Sequence, residues 1–327
     1  MLPHAVKAPT LLAKTGPPTC PLVPSQCSEF ADRYPSLHVL GFQKCGTSQL
    51  YSFLSNHKDV LPAESRKGQK EWCPKYIHGK DSTIRMNPSL YFSPLHSTSS
   101  HLTANGCLDD HLDESLCLHS CVAPHLAHPA KYFLVVRDPA GARWSWYNFY
   151  QNSMDGWDGV ARNGADGRMA DWAASGRDYR SPELFHELAS AQGMVKNNPF
   201  QVQPTVSYWL DMIRRVQRHV GPQNLMVLHT AMLDDVNVHK RIAAFAGLSE
   251  GGFPNMSHVR LNSGSRDSSR GEANSQGSAA LEGVYEVSGF RRMLDKTREL
   301  INERERKSCA ILKAEFGVSC WHKGTRR

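Results

Sequence analysis

Short apolar runs alternate along the chain with longer stretches in which apolar residues recur at helical spacing. Three runs predict buried strands because each is short, continuous and bounded by Gly or polar residues; they cover residues 36–41, 131–136 and 224–229. Helical spacing is seen at residues 47–54, 143–150, 182–191, 207–220, 238–245 and 282–316. Strands alternating with helices predict a three-layer α/β fold, in which a central parallel sheet is covered on both faces.

Irregular stretches interrupt this pattern and predict loops. Residues 93–129 are rich in His, Ser and Cys, residues 155–178 in Gly and Asp, and residues 262–278 in small polar side chains. In a parallel α/β fold, loops at the carboxyl ends of the strands carry the ligands.

The domain boundaries follow from the same pattern. Residues 1–35 are rich in Pro and have no apolar core of signal-peptide length, so they predict a linker or a truncated leader. We expect one domain over residues 36–320, with insertions at about 93–129 and 155–178, and a basic tail at residues 321–327.

Composition narrows the classes of function. The chain has 327 residues, of which 40% are hydrophobic, and this apolar content excludes wholesale disorder. The net charge of +7 favours an anionic ligand but is too diffuse to indicate a nucleic-acid partner. Membrane association is not visible, since no stretch approaches the roughly 20 apolar residues of a membrane helix.

The nine cysteines leave several pairings open. Cys309 and Cys320 can pair in an oxidising compartment, and one glycosylation acceptor, at Asn255, weakly supports a secretory route. A cluster of seven residues falls within 22 positions: Cys107, His111, Cys117, His119, Cys121, His125 and His128. Its spacing fits no recognised zinc pattern, so an internal disulfide or thiols are expected before a metal site.

A glycine-rich turn lies between the first strand and the first helix. Gly41 and Gly46 have the spacing of a phosphate-binding loop, and Thr47 and Ser48 follow at the amino end of the helix. Nucleotide hydrolases place a lysine directly after the second glycine, whereas here the lysine is Lys44, inside the loop. The alternative is a structural turn with a solvated lysine.

A second anion-binding signal follows the next strand. Arg137 comes directly off this strand, before Asp138 and Pro139, and Ser145 lies eight residues after Arg137. An arginine offers a planar set of donors suited to phosphate, and we expect the proline turn to bring Ser145 beside it. The alternative is an Arg–Asp pair that caps a helix, with Ser145 on the surface.

Taken together, residues 41–51 and 137–147 resemble the two nucleotide-binding motifs of sulfotransferases that use 3′-phosphoadenosine 5′-phosphosulfate (PAPS). The resemblance is greatest to carbohydrate sulfotransferases of the heparan and chondroitin type. The sequence of residues 44–51 is similar to that of the N-acetylgalactosamine 4-sulfate 6-O-sulfotransferase branch in particular. Weaker similarity extends over about residues 36–318.

This resemblance implies a P-loop-like nucleotide-binding fold and a set of site residues. The 5′-phosphosulfate is expected on Lys44, Cys45, Gly46, Thr47 and Ser48, and the 3′-phosphate on Arg137 and Ser145. Arg266 and Arg270 are further candidates for the 3′-phosphate, against the alternative of a plain flexible loop. No metal is implied.

The resemblance also implies two catalytic residues. Lys44 is expected to act on the leaving phosphate, and Glu71 is expected to be the general base, although a surface ion pair is the alternative for Glu71. His57 is a rival base, but the corresponding histidine of the family is usually structural.

The implied reaction is sulfuryl transfer from PAPS to a hydroxyl of an anionic or neutral glycan, in the Golgi lumen. Two other functions stay open: a nucleotide kinase or hydrolase with the same loop geometry, and a catalytically inactive sulfotransferase-like binding module. A cytoplasmic location is the alternative to the Golgi.

Overall fold

A computed structural model of the chain describes residues 27–28, 31, 36–42, 44–62, 101–103, 116, 119–156, 181–191, 205–250 and 292–321. The strands are β1 (Leu37–Gly41), β2 (Leu61–Pro62), β3 (His101–Thr103), β4 (Lys131–Val136) and β5 (Leu225–His229). The α-helices are α1 (Thr47–Ser55), α2 (Pro139–Gly156), α3 (Pro182–Ser190), α4 (Val206–Val220), α5 (Val236–Ala246) and α6 (Asp295–Phe316). Short 3₁₀ turns cover Ala123–His125, Pro222–Asn224 and Thr230–Met232.

The strands form one sheet in the order β2-β3-β1-β4-β5, and every described pairing is parallel. Gly41 at the end of β1 pairs with Val135, and Val136 at the end of β4 pairs with His229. The carboxyl ends of β1, β4 and β5 therefore lie side by side at one edge. The predicted strands are confirmed, whereas β2 and β3 were missed because they are two and three residues long.

Alternate residues of the strands supply the two faces of the core. Tyr132, Leu134 and Val136 of β4 belong to a cluster with α4 and α6, whereas Phe133 and Val135 belong to a cluster with α1 and α5. Helices thus cover both faces, as expected for a parallel sheet. The predicted three-layer α/β fold is confirmed.

Helix boundaries follow local signals. The Thr205 hydroxyl accepts a hydrogen bond from Tyr208 N at 3.2 Å and caps α4, which ends before Gly221. Sequence pattern predicted the last helix from residue 282, but the described residues 292–294 are not helical and α6 begins at Asp295.

Two disulfides link the described residues. Cys309 pairs with Cys320, as predicted, and Cys27 pairs with Cys121, which takes Cys121 out of any pairing inside the Cys/His cluster. Among the residues that the structure describes, there is no group of side chains that could hold a metal ion, and no helix long and apolar enough to cross a membrane.

Candidate active site

The loop between β1 and α1 is folded back on itself. Cys45 N donates to Phe42 O at 3.1 Å, and both Lys44 and Gly46 have positive φ, of 62° and 95°. A positive φ is unfavourable for lysine, so the surrounding contacts must hold this turn. They include Phe42, which is buried and stacks on Trp209 of α4 with ring centroids 5.3 Å apart.

The amino end of α1 faces this turn with backbone donors. Gln49 N and Leu50 N both donate to Gly46 O at 3.1 Å, so the N–H groups of Gly46, Thr47 and Ser48 precede the helical hydrogen-bond ladder. Such N–H groups, together with the helix dipole, favour an anion. Cys45 is fully buried, and its side chain packs in the core.

Arg137 lies directly after β4 and reaches the loop. Its Nη1 donates to the carbonyl oxygen of Lys44 at 3.1 Å, and both side chains are half-buried. Burial lowers the pKa of the Lys44 ammonium below its ordinary value, and the positive charge of Arg137 lowers it further. The two predicted cationic residues therefore meet at one place, at the carboxyl ends of adjacent strands.

Asp138 has a structural role beside this site. Its Oδ2 accepts from Gly141 N at 2.7 Å, which caps α2, and from Arg298 Nη1 at 3.1 Å. The carboxylate thus caps the helix, as the alternative interpretation proposed, but its arginine partner is Arg298 of α6 rather than Arg137.

Ser145 lies inside α2 and is half-buried. The chain does not turn back at Pro139, because Pro139 begins the helix, where its missing N–H costs no hydrogen bond. The role of Ser145 at the 3′-phosphate stays a prediction. Six residues of helix, about 9 Å of rise, separate Ser145 from Pro139. Ser145 is therefore positioned by the helix.

Arg143 is committed to the core. It is buried and its Nη2 donates to Glu305 Oε1 of α6, while Glu305 Oε2 accepts from Val206 N at 3.1 Å. This buried ion pair joins α2, α4 and α6, so Arg143 serves the fold.

Thr230, at the end of β5, is a residue of the site that sequence reasoning missed. Its Oγ1 lies within hydrogen-bond distance of Cys45 O in the loop and of Val136 O at 3.0 Å. Its Cγ2 would lie 2.9 Å from a Cβ placed on Gly46. The available signal was a hydroxyl residue directly after a buried strand at the carboxyl edge of the sheet.

The described residues also decide the role of His57. Its Nδ1 accepts from Asp59 N at 3.0 Å, so Nε2 carries the hydrogen and donates to Ser249 O at 2.9 Å. Nδ1 closes the turn after α1 and Nε2 ties that turn to Ser249, which follows α5, so both nitrogens of His57 serve the fold. The predicted Glu71, Arg266 and Arg270 lie outside the described residues.

Comparisons with known proteins point to the fold alone. No family model and no curated protein matches the sequence. Among solved structures, a sulfotransferase from Alicyclobacillus acidocaldarius is similar, with a TM-score of 0.50 and 16% sequence identity, over 87% of this chain and 96% of that chain. The two proteins share a fold. At this identity, the activity of the chain must be argued from its own residues.

The described geometry is suited to binding an anion. The backbone N–H groups at the start of α1, the half-buried Lys44 and the guanidinium of Arg137 lie together at the carboxyl ends of β1 and β4. An anionic ligand at this edge of the sheet would interact favourably with the positive charges of Lys44 and Arg137.

Proposed function

We propose that the protein is a sulfotransferase that transfers a sulfuryl group from PAPS to a hydroxyl group of a carbohydrate. The observation that carries this proposal is the contact between the Arg137 guanidinium and the Lys44 carbonyl, 3.1 Å apart. PAPS carries a phosphosulfate at one end and a phosphate at the other, so it needs two cationic sites next to each other.

Three features support this donor. Lys44 projects from within the loop instead of following Gly46, which separates the site from the lysine position of nucleotide hydrolases. The amino end of α1 offers N–H groups to the phosphosulfate. The fold is shared with a protein described as a sulfotransferase, from Alicyclobacillus acidocaldarius.

The reaction is an in-line displacement at sulfur. The acceptor oxygen forms a bond to sulfur while the bond from sulfur to the 5′-phosphate oxygen breaks, and its electron pair stays on adenosine 3′,5′-bisphosphate. Lys44 and the loop N–H groups stabilise the charge that grows on this oxygen. The acceptor hydroxyl loses its proton to a base, for which we propose Glu71.

The acceptor and compartment belong to the same proposal. The net charge of +7 suits an anionic or neutral glycan better than a strongly cationic acceptor. Two disulfides and the acceptor site at Asn255 favour an oxidising lumen such as that of the Golgi.

The direct test is incubation of the protein with radiolabelled PAPS and a panel of desulfated glycans. We expect label in at least one glycan, loss of transfer in Lys44→Ala, and wild-type transfer in Lys58→Ala, which removes an exposed lysine just after α1. Label transfer from ATP instead of PAPS would indicate a kinase. Tight binding of adenosine 3′,5′-bisphosphate with no transfer to any glycan would indicate an inactive binding module.

A further inference from the structure

We infer that Thr230 is a positioning residue for the donor: its hydroxyl fastens the loop that carries Lys44 to the strand end that carries Arg137. This inference rests on the proposed function, since it concerns the binding of the same bisphosphorylated nucleotide. It assigns a role to a residue that touches neither reacting group.

The hydroxyl joins the two halves of the site through their backbone. Cys45 directly follows Lys44 and Val136 directly precedes Arg137, and Thr230 Oγ1 lies against the carbonyl oxygens of both Cys45 and Val136. A single hydroxyl hydrogen serves both acceptors, so the loop and the end of β4 are held at one separation. That separation decides whether one ligand can reach Lys44 and Arg137 together.

The methyl group of Thr230 adds a second restraint. Its Cγ2 occupies the space into which a side chain at position 46 would project, 2.9 Å from a Cβ placed there. The left-handed turn at Gly46, which aims the N–H groups of α1, therefore packs directly against Thr230.

The backbone around Thr230 is itself held in place by hydrogen bonds. The neighbouring His229 is buried, its Nδ1 accepts from Ala231 N at 3.1 Å, and its Nε2 donates to Cys320 O at 3.2 Å. Leu233 N donates to Thr230 O at 3.1 Å, which closes the turn after β5. Since the threonine cannot move easily, its hydroxyl transmits this rigidity to the loop.

The test is calorimetry with adenosine 3′,5′-bisphosphate on two pairs of proteins that differ in the hydroxyl: wild type against Thr230→Val, and Thr230→Ser against Thr230→Ala. We expect the member without the hydroxyl to bind about tenfold more weakly in each pair, because the loop and the end of β4 lose the hydrogen bonds that join them through Thr230. The Michaelis constant for PAPS should rise with a nearly unchanged kcat, and Thr230→Ser should retain most of the affinity. The second pair decides the result should Thr230→Val fail to fold.

Thr297→Val is the matched control, because Thr297 is a fully buried threonine whose hydroxyl bonds His186 between α3 and α6. It should lower the melting temperature and leave the affinity unchanged. If the wild type binds and removal of the hydroxyl leaves the affinity unchanged in both pairs, the role of Thr230 is overturned and the proposed function stands. If the wild type does not bind the nucleotide, the proposed function fails and the role of Thr230 fails with it.

Discussion

Arg137 Nη1 donates a hydrogen bond to the carbonyl oxygen of Lys44 at 3.1 Å, although 93 residues separate them in sequence. The contact is possible because β1 and β4 are adjacent parallel strands and both residues come from turns at their carboxyl ends. At β1 the chain connections diverge to opposite sides of the sheet, the position at which parallel α/β folds bind their ligands.

Donor binding should weaken at alkaline pH. Burial and Arg137 lower the pKa of Lys44, so its ammonium loses the proton at a lower pH than an ordinary lysine. A bound bisphosphate raises this pKa again, so the affinity falls as the pH rises through the pKa of the unliganded protein. Calorimetry with adenosine 3′,5′-bisphosphate between about pH 7.5 and 10.5 measures the fall.

Two lysine-to-arginine variants show whether the fall in affinity comes from Lys44 or from another group that titrates in this range. Lys44→Arg stays protonated, so its affinity should change little with pH. Lys58→Arg replaces an exposed lysine and should keep the alkaline fall of the wild type. An unchanged fall in Lys44→Arg would assign the titration to another group.

Glu71→Gln should separate chemistry from binding. Loss of the general base lowers turnover by about 100-fold or more, whereas the affinity for adenosine 3′,5′-bisphosphate should stay unchanged because the nucleotide does not need this carboxylate. Steady-state rates with a sulfatable glycan, together with calorimetry, measure the two effects. Normal turnover by this variant would remove Glu71 from the mechanism.

Glu305→Gln should destabilise the fold by about 3 kcal/mol or more, because it leaves the buried Arg143 guanidinium without its counter-charge. The control is Glu303→Gln on the same helix, which breaks an exposed pair with Arg306 and should leave the free energy of unfolding nearly unchanged. Urea unfolding measures both. Equal effects of the two substitutions would contradict the structural role of Arg143.

His119 should make stability fall in mild acid. Burial, and to a lesser degree the charge of His219, lowers its pKa to about 4, and its Nδ1 lies 2.5 Å from the Tyr132 hydroxyl. Since the folded-state pKa is below the unfolded value of about 6.5, the unfolded chain binds the proton first as the pH falls. The stability that neutral His119 contributes is therefore complete above about pH 6.5 and is lost progressively toward pH 4.

The comparison of His119→Gln with wild type isolates this effect. The difference in unfolding free energy should be largest at pH 7 and should shrink by up to about 3 kcal/mol toward pH 4. His125→Gln, which replaces an exposed histidine nearby, should leave the pH profile unchanged. A constant difference between His119→Gln and wild type would show that His119 does not titrate in this window.

The hydrophobic pattern of the sequence was enough to predict the main strands and the cationic residues that follow them. β1, β4 and β5 are short apolar runs, and Lys44 and Arg137 are the cations in the turns that follow β1 and β4. Because carboxyl ends of parallel strands share one edge, their meeting followed from the fold class alone.

The features that the sequence did not predict are contacts between elements that are distant in the chain. The role of Thr230 requires β5 to pair with β4, and a threonine after a strand has no distinctive pattern of its own. The partner of Arg143, Glu305, lies 162 residues away, and no local feature selects it from the other acidic residues of α6. The short strands β2 and β3 owe their conformation to pairing within the sheet.

The most direct test of the account compares adenosine 3′,5′-bisphosphate with adenosine 5′-phosphate, which lacks the 3′-phosphate. Calorimetry is done on wild type, Arg137→Ala and Arg306→Ala, an exposed arginine of α6 that serves as control. Wild type and Arg306→Ala should each bind adenosine 3′,5′-bisphosphate at least about tenfold more tightly than adenosine 5′-phosphate. Arg137→Ala should lose this preference. Equal weakening of both ligands in Arg137→Ala, with the preference intact, would show that Arg137 supports the loop and does not bind the 3′-phosphate, and would contradict the two-site account.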